Sequence, residues 1–171
     1  MKYNGSIIHG VFLNIFNTGT LITGASASGK STLALALVQR NHQLIADDAP
    51  QFDCIDNQLY GTCPQALQDL LHIRELGFLN IRQLFGNQAI RERQALNLII
   101  QLQKNNLNAE NPTGNWSRET LFGIDILTLS LPTISQHLIM LIETAVRCYQ
   151  LNPHMNSNIS QFTTNFRQLI S

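Results

Sequence analysis

The sequence has few charged residues and no excess of either sign. Lysine plus arginine and aspartate plus glutamate number 11 each, and charged residues make up 13% of the chain, about half the usual share for globular proteins. A chain with zero net charge lacks the electrostatic footprint of non-specific nucleic-acid binding. Cysteine is also scarce: Cys54, Cys63 and Cys148 are scattered and odd in number. They indicate reduced thiols in a cytosolic protein rather than a disulfide framework or a metal site.

Long hydrophobic runs are absent as well. The uncharged, mostly apolar stretch from Ile126 to Ile142 contains Pro132, Gln136 and His137, and it is too short and too polar to span a bilayer. The N-terminus has one lysine followed by an apolar stretch that polar residues interrupt, which does not fit a secretory signal. The sequence therefore predicts a cytoplasmic protein that binds neither nucleic acid nor membrane.

The composition allows one ordinary α/β domain. Apolar residues make up 44% of the 171 residues, enough for a hydrophobic core. Short strands over 20–23 and 43–46 flank a helix over 31–40, which is the unit from which α/β sheets are built. The remaining pattern predicts a strand over 7–16, a hairpin over 51–60 turning at Asp56-Asn57, a short helix over 64–71, a charged loop over 72–77, strands over 96–102 and 124–131, an exposed connection over 103–115, and helices over 135–150 and from 157 onward.

The loop between the first of those strands and the helix matches the P-loop pattern G-x-x-x-x-G-K-[ST]. Gly24 and Gly29 let the backbone approach a phosphate without a Cβ clash. The N–H groups of the loop and of the helix N-terminus are expected to form an anion cradle, Lys30 can reach the β- and γ-phosphates, and the Ser31 hydroxyl can ligate Mg²⁺. The residues assigned to nucleotide binding are Gly24, Ala25, Ser26, Ala27, Ser28, Gly29, Lys30, Ser31 and Thr32.

Two adjacent aspartates, Asp47 and Asp48, end the strand that follows the P-loop helix. A carboxylate placed there can hold Mg²⁺ or accept a proton from an attacking hydroxyl. The alternative is a solvated turn or a helix cap. Because side chains alternate along a strand, the two aspartates are expected to have different roles.

These motifs and several shorter runs together resemble the HPr kinase/phosphorylase family. The resemblance covers most of the chain and corresponds to the C-terminal kinase domain of that family. The runs that carry it are His9-Gly10-Val11, Leu21-Ile22-Thr23-Gly24, Gly29-Lys30-Ser31, Arg40-Asn41-His42, Leu44-Ile45-Ala46-Asp47-Asp48, Ile73-Arg74-Glu75-Leu76-Gly77 and Ile81-Arg82-Gln83-Leu84-Phe85-Gly86.

The resemblance implies a fold and an activity. It implies a single P-loop kinase domain over 1–171, related to phosphoenolpyruvate carboxykinase, with a central mixed sheet, flanking helices and C-terminal helices from about residue 135 onward. Members use ATP, or pyrophosphate in some cases, with Mg²⁺ to phosphorylate a serine of the phosphocarrier HPr. Many also remove that phosphate, and they assemble as hexamers.

Site residues carry over position by position. The active-site histidine of the family falls on His9, and Asp48 falls on the base that deprotonates the acceptor serine. The phosphate-binding lysine and the metal-binding serine of the family fall on Lys30 and Ser31, and the expected partner of Ser31 at the metal is Asp47, His72 or Glu75. Arg118 is the nearest candidate for an active-site arginine that lies farther along the family sequence.

The sequence departs from the family pattern in three places. The acidic residue after the P-loop serine is Thr32 here. The family loop reads Glu-Ile-Arg-Gly-Leu-Gly with its Glu as a metal ligand, whereas His72 and Glu75 replace that Glu and the first glycine. Either His72 or Glu75 is then the candidate ligand, or metal binding is weaker. A Pro-Gly-Arg-Asn run tied to dephosphorylation is Ile134 to His137 here, so the reverse reaction has less support than the forward one.

Three functions therefore stay open on the sequence alone. The first is a serine kinase acting on HPr or a similar phosphocarrier. The second is a small-molecule kinase built on the same scaffold. The third is a nucleotide-sensing regulatory protein that binds ATP without transferring its phosphate, which the changes at Thr32, His72 and Glu75 motivate.

Overall fold

The computed structural model describes residues 5–104, 115–133 and 137–152. Within these ranges, no helix is long and apolar enough to cross a membrane. The elements in chain order are β1 (Ser6–Ile7), β2 (Val11–Ile15), β3 (Thr18–Gly24), α1 (Lys30–Gln39), β4 (Gln43–Ala46), β5 (Gln51–Ile55), β6 (Gln58–Thr62), a 3₁₀ turn (Gln65–Leu67), β7 (Leu70–Ile73), β8 (Gly77–Asn80), α2 (Ile81–Phe85), a second 3₁₀ turn (Asn87–Ala89), β9 (Arg93–Gln103), β10 (Asn115–Leu121), β11 (Ile124–Pro132) and α3 (Leu138–Leu151).

A curled mixed sheet forms the centre of the fold. Its strand order is β1-β5-β6-β9-β3-β2-β4, and β11 and β10 branch from β9. The long strand β9 pairs through its first residues with β6 and through its last residues with β11, while β3 lies along its other edge. Since β3 and β9 are parallel, both end at the same edge of the sheet, which carries the loop between β3 and α1.

Both faces of the sheet are covered. Leu21 packs into one buried cluster with residues of β5 and β6, and its neighbour Ile22 packs into the other with α1 and α3. A strand buried on both faces reads as a continuous apolar run rather than an alternating one. The apolar run over 20–23 therefore predicted a central strand, and the structure confirms it.

The predicted α/β class with a central mixed sheet is confirmed, and so are the strands over 20–23, 43–46, 96–102 and 124–131, the helix over 31–40 and the hairpin over 51–60. The helix predicted over 135–150 appears as α3. The strand predicted over 7–16 is two strands, because the chain bends at His9 and Gly10. The helix predicted from 157 and most of the connection over 103–115 lie outside the described residues.

The prediction was wrong over 64–77. A single 3₁₀ turn stands where a short helix was expected, and β7 and β8 form a hairpin where a charged loop was expected. The hairpin has a three-residue turn, Arg74 to Leu76, and is closed by Gly77, which directly follows the turn and has a φ of 81°. Leu71 and Ile73 are buried while His72 is exposed, and that alternation is the strand signal the sequence reading missed.

The helix α3 is attached to the rest of the domain through its acidic residue. Glu143 accepts two hydrogen bonds from Arg40 at the end of α1, each 2.7 Å long, and lies 2.8 Å from Nε2 of the buried His42. Arg147, one turn further along α3, stacks over the ring of Phe16 at 3.7 Å. Hydrogen bonding to the Arg40 guanidinium lowers the pKa of Glu143 to about 2, against the opposing effect of its burial.

Replacing Glu143 with glutamine should make the free energy of unfolding depend less on pH in the acidic range. A carboxyl whose pKa is lowered by folding stabilises the protein above pH 4.5, its usual value, and that stability is lost as the pH falls towards about 2. We expect Glu143→Gln to lose about 1–2 kcal/mol of the free energy of unfolding at pH 7 and progressively less at lower pH. Urea denaturation between pH 2 and 7 measures this, with the exposed Glu119→Gln as control. An equal loss at every pH would contradict it.

Candidate active site

The loop between β3 and α1 is shaped by two glycines in the left-handed region of φ. Gly24 has a φ of 149°, and a Cβ built on it would lie 2.9 Å from the carbonyl oxygen of Leu102 on β9. Gly29 has a φ of 86° and directly precedes the first helical residue. The chain can therefore turn sharply out of the sheet and begin α1 with its free N–H groups at the loop, which is the geometry of an anion cradle.

The ammonium group of Lys30 closes over this loop. Its Nζ atom donates hydrogen bonds to the carbonyl oxygens of Gly24 and Ala25, both at 2.9 Å, and lies 3.5 Å from Oγ of Ser28. The cation is thus held beside the backbone N–H groups of the loop. Positive charge and N–H donors together provide what a polyphosphate needs.

The Asp47 carboxylate is joined to both α1 and β7. Its Oδ1 and Oδ2 atoms lie 3.1 and 3.4 Å from Oγ of Ser31, and Oδ2 also accepts a hydrogen bond of 2.9 Å from the backbone N–H of His72. Only 7% of Asp47 is exposed. Burial raises its pKa, although the hydrogen bonds from His72 and Ser31 oppose this effect. A buried carboxylate that costs energy to ionise and touches the P-loop serine is well suited to a cation.

Asp48 points the other way. Its φ is 67°, and its side chain is 81% exposed. Its Oδ1 atom lies 3.8 Å from Nδ1 of His9, which is 86% exposed. The backbone carbonyl of Asp48 accepts a hydrogen bond from Gly10 N–H at 3.3 Å, which fixes the start of β2 next to this aspartate. The expectation of different roles for the two aspartates is thereby matched by different surroundings.

The structure brings most of the predicted site residues to one edge of the sheet. The P-loop residues Gly24 to Ser31, the two aspartates and His9 meet there through the contacts given above. Thr32 is exposed on the first turn of α1. In the described ranges, no group of three or more His, Cys, Asp or Glu side chains is arranged to hold a metal ion by itself. Ser31 and Asp47 nevertheless fit Mg²⁺, which usually takes one or two protein ligands with substrate phosphates and water.

Comparison with known proteins agrees with this geometry. Residues 3–166 match the sequence model of a family described as the HPr serine kinase C-terminal domain. The chain belongs to this HPr serine kinase C-terminal domain family. It is 43% identical over 152 residues to an HPr kinase/phosphorylase of Stenotrophomonas maltophilia, with 85% of this chain and 48% of that protein covered. A Xylella fastidiosa relative of the same name is also 43% identical, over 151 residues.

A solved structure shares the fold. The Hpr(Ser) kinase/phosphatase from Coxiella burnetii superposes with a TM-score of 0.78 at 35% identity, covering 87% of this chain and 99% of that one. The chain spans about half the length of the curated relatives it matches. Membership of the HPr serine kinase C-terminal domain family confirms the resemblance that the sequence motifs carried.

The two residues that could replace the metal-binding glutamate of the family, His72 and Glu75, have different surroundings. His72 reaches Asp47 through its backbone N–H, while its imidazole lies against the ring of Phe78, with centroids 4.7 Å apart. Glu75 is exposed in the turn between β7 and β8. The sequence predicted a role for the His72 side chain, whereas the structure uses its backbone N–H. The alternation of apolar and polar residues over Leu71, His72 and Ile73 indicates a strand, but it does not show which N–H groups are left free.

Arg118 lies away from the other predicted residues. It is on β10, which is separated from β3 by β11 and β9. Register through those strands places it level with Thr20, four residues before Gly24, so it is about 14 Å across and 13 Å along the sheet from the loop. Within the described residues of this chain, Arg118 is not brought to the P-loop, and its catalytic role stays a prediction.

Replacing Asp47 with asparagine should stabilise the protein at neutral pH in the absence of Mg²⁺. Because burial raises the pKa of this carboxyl, its ionisation costs stability as the pH rises through and above the usual value of 3.8. The asparagine can still accept from His72 N–H and donate to Ser31. We expect a gain on the order of 1 kcal/mol at pH 7 that vanishes near pH 4.

Chemical denaturation of both forms across pH 4–8 measures this gain. The exposed turn variant Asp56→Asn is the control, since it removes a carboxylate that is not buried. A destabilised Asp47→Asn at pH 7 would show that the carboxylate supports the apo fold instead of straining it.

Proposed function

We propose that this chain is an ATP- and Mg²⁺-dependent kinase that phosphorylates a serine of HPr or of an HPr-like phosphocarrier. Family membership supports the serine kinase class, and the names of the relatives supply the acceptor. The observation that carries the proposal is the contact between Ser31 and Asp47 beside the Lys30 loop, with Asp48 exposed next to it.

Ser31 and Asp47 are the residues that would hold Mg²⁺. The hydroxyl and the carboxylate already touch, and a cation there would offset the energy that burial adds to the ionised carboxyl. The ion supplies neutralisation of the charge that spreads over the phosphate oxygens during transfer. His72 and Glu75 stay predicted ligands beside these two.

Asp48 is proposed as the base. The Oγ atom of the acceptor serine forms a bond to the γ-phosphorus of ATP, while the bond from that phosphorus to the oxygen that bridges the β- and γ-phosphates breaks. The serine proton passes to Asp48, and ADP leaves. His9, 3.8 Å from Asp48, can help to orient the carboxylate. Lys30 and the loop N–H groups stabilise the phosphates. The transition state of phosphoryl transfer is loose, so its stabilisation requires positioning of the reactants and charge neutralisation more than covalent chemistry.

The exposure of the base favours a protein acceptor over a small molecule. The side chains of Asp48 and His9 are 81% and 86% exposed. Small-molecule sites usually bury most of their ligand in a cleft. A carboxylate standing at the surface is instead accessible to a serine on the surface of another protein.

Several further properties are proposed from the resemblance to the family. They include a single kinase domain over 1–171, assembly as a hexamer, a cytoplasmic location, and the use of ATP rather than pyrophosphate. The reverse phosphorolysis would employ Asp48 as an acid. The residues 134–136 where the family has its dephosphorylation motif lie outside the described ranges, so that activity keeps the weaker support it has from the sequence.

The test is a phosphotransfer assay with γ-labelled ATP, Mg²⁺ and HPr. Wild-type protein should label a serine of HPr. Asp48→Asn should lower the rate by about 10²- to 10⁴-fold, because a general base contributes that much. Asp56→Asn is the matched control, since Asp56 is also exposed and has a φ of 49°, so the same substitution is made in a similar conformation.

Each alternative has its own signature in this assay. Tight Mg²⁺-dependent ATP binding without label on any acceptor would indicate a nucleotide sensor. ATP turnover that depends on an added metabolite, with unlabelled HPr, would indicate a small-molecule kinase. Equal rates for Asp48→Asn and Asp56→Asn would remove Asp48 from the role of base.

A further inference from the structure

An ion pair closes the base of the β7–β8 hairpin. Arg82, in α2 just after β8, donates to Oδ2 of Asp69 through Nε at 2.6 Å and to Oδ1 through Nη2 at 3.0 Å. Asp69 directly precedes β7, so the pair joins the entry of the hairpin to its exit. This bidentate geometry is the strong form of an arginine–carboxylate contact, and 14% of the Asp69 side chain and 34% of the Arg82 side chain are exposed.

Backbone contacts reinforce this base. Ile81 N–H donates to the carbonyl of Asp69 at 2.8 Å. Asp69 has a φ of 65°, a left-handed conformation that aspartate and asparagine tolerate better than most residues. The Asn80 side chain caps α2 by accepting from Gln83 N–H at 2.9 Å. The two chain segments below the hairpin are thus held in one arrangement.

The hairpin in turn holds the Asp47 carboxylate. His72 is three residues after Asp69, and its backbone N–H donates to Oδ2 of Asp47 at 2.9 Å. With this oxygen engaged, Oδ1 is the atom closer to the Ser31 hydroxyl, at 3.1 Å. A carboxylate without the His72 contact would be free to rotate about its Cβ–Cγ bond, since aspartate χ2 is a broad torsion.

We propose that Asp69 and Arg82 are a positioning pair for the Mg²⁺-nucleotide site, acting through the His72 N–H to set the orientation of Asp47. This inference rests on the proposed role of Ser31 and Asp47 as metal ligands. Among the described residues, neither Asp69 nor Arg82 makes a hydrogen bond or ion pair with the P-loop, so we expect their effect on the affinity for the metal-bound nucleotide rather than on the transfer step itself. Residues that orient metal ligands commonly contribute 10- to 100-fold to affinity.

The variants that test this pair are Arg82→Gln and Asp69→Asn. Each removes the ion pair without adding backbone strain, because asparagine accepts the left-handed φ of residue 69. Arg82→Lys keeps the charge and one hydrogen bond, so it should recover part of the loss. Arg40→Gln is the matched control, because it removes an equally bidentate arginine–carboxylate contact, with Glu143, at the junction of α1 and α3.

Hydrogen exchange of the His72 amide is the first readout, and it needs neither nucleotide nor acceptor. Protection of this amide should fall about tenfold or more in Arg82→Gln and in Asp69→Asn, and should stay within about twofold of wild type in Arg40→Gln. The double variant should lose no more than either single one, since the two residues act as a unit. Unchanged His72 protection in both variants would overturn the inference.

Calorimetric titration of ATP at increasing Mg²⁺ is the second readout. The Mg²⁺ concentration at which ATP binding reaches half of its maximal enhancement should rise about tenfold in Arg82→Gln. In the phosphotransfer assay, kcat at saturating Mg²⁺ should change less than about threefold. A fall in kcat with an unchanged Mg²⁺ requirement would contradict a positioning role, as would an equal Mg²⁺ shift in Arg40→Gln.

These readouts separate the two proposals. If wild-type protein fails to label HPr while the variants shift the Mg²⁺ requirement as expected, the acceptor is wrong and the positioning pair stands. If wild-type protein labels HPr but the His72 amide and the Mg²⁺ requirement do not respond, the positioning pair falls and the kinase stands.

Discussion

The site depends on the three-part contact at the Asp47 carboxylate. Ser31 brings the start of α1 to it, and His72 brings β7. The ends of three separate chain segments therefore meet at one buried acidic group, whose ionisation burial opposes. If Asp47 is the Mg²⁺ ligand proposed above, the burial that opposes its ionisation is the cost that a bound cation would offset.

The position of the phosphate loop is set by the sheet rather than by the loop. Gly24 ends β3 opposite Leu102 on β9, and the two backbones lie too close for a side chain on residue 24. Since both faces of β3 are buried, through Leu21 on one side and Ile22 on the other, the strand end cannot shift without disturbing two cores. Sites that are anchored on strands and helices hold their geometry more precisely than sites that are anchored on loops alone.

The sequence was most informative where local chemistry decides the structure. The Gly-Lys-Ser motif, the apolar run before it and the helix after it predicted the strand, the loop and α1 correctly, because each depends on neighbouring residues. The β7–β8 hairpin was missed because its strands are short and its turn contains Arg74 and Glu75, which suggested a solvated loop. The strand β10 was not predicted either, because few of its residues are apolar, although only Phe122 and Gly123 separate it from β11. The distance of Arg118 from the loop follows from the parallel pairing of β11 with β9, which joins residues far apart in the chain, and could not be inferred from spacing.

The two adjacent aspartates lie in different surroundings for a reason other than strand alternation. Alternation along a strand was the basis for expecting Asp47 and Asp48 to have different roles. In the structure, β4 ends at Ala46, and the divergence arises because Asp48 adopts a left-handed φ of 67°. Aspartate is among the few residues that enter this region at modest cost. The same residue type therefore provides a buried carboxylate, the proposed metal ligand, at one position, and at the next an exposed carboxylate, the proposed base, on a left-handed backbone turn.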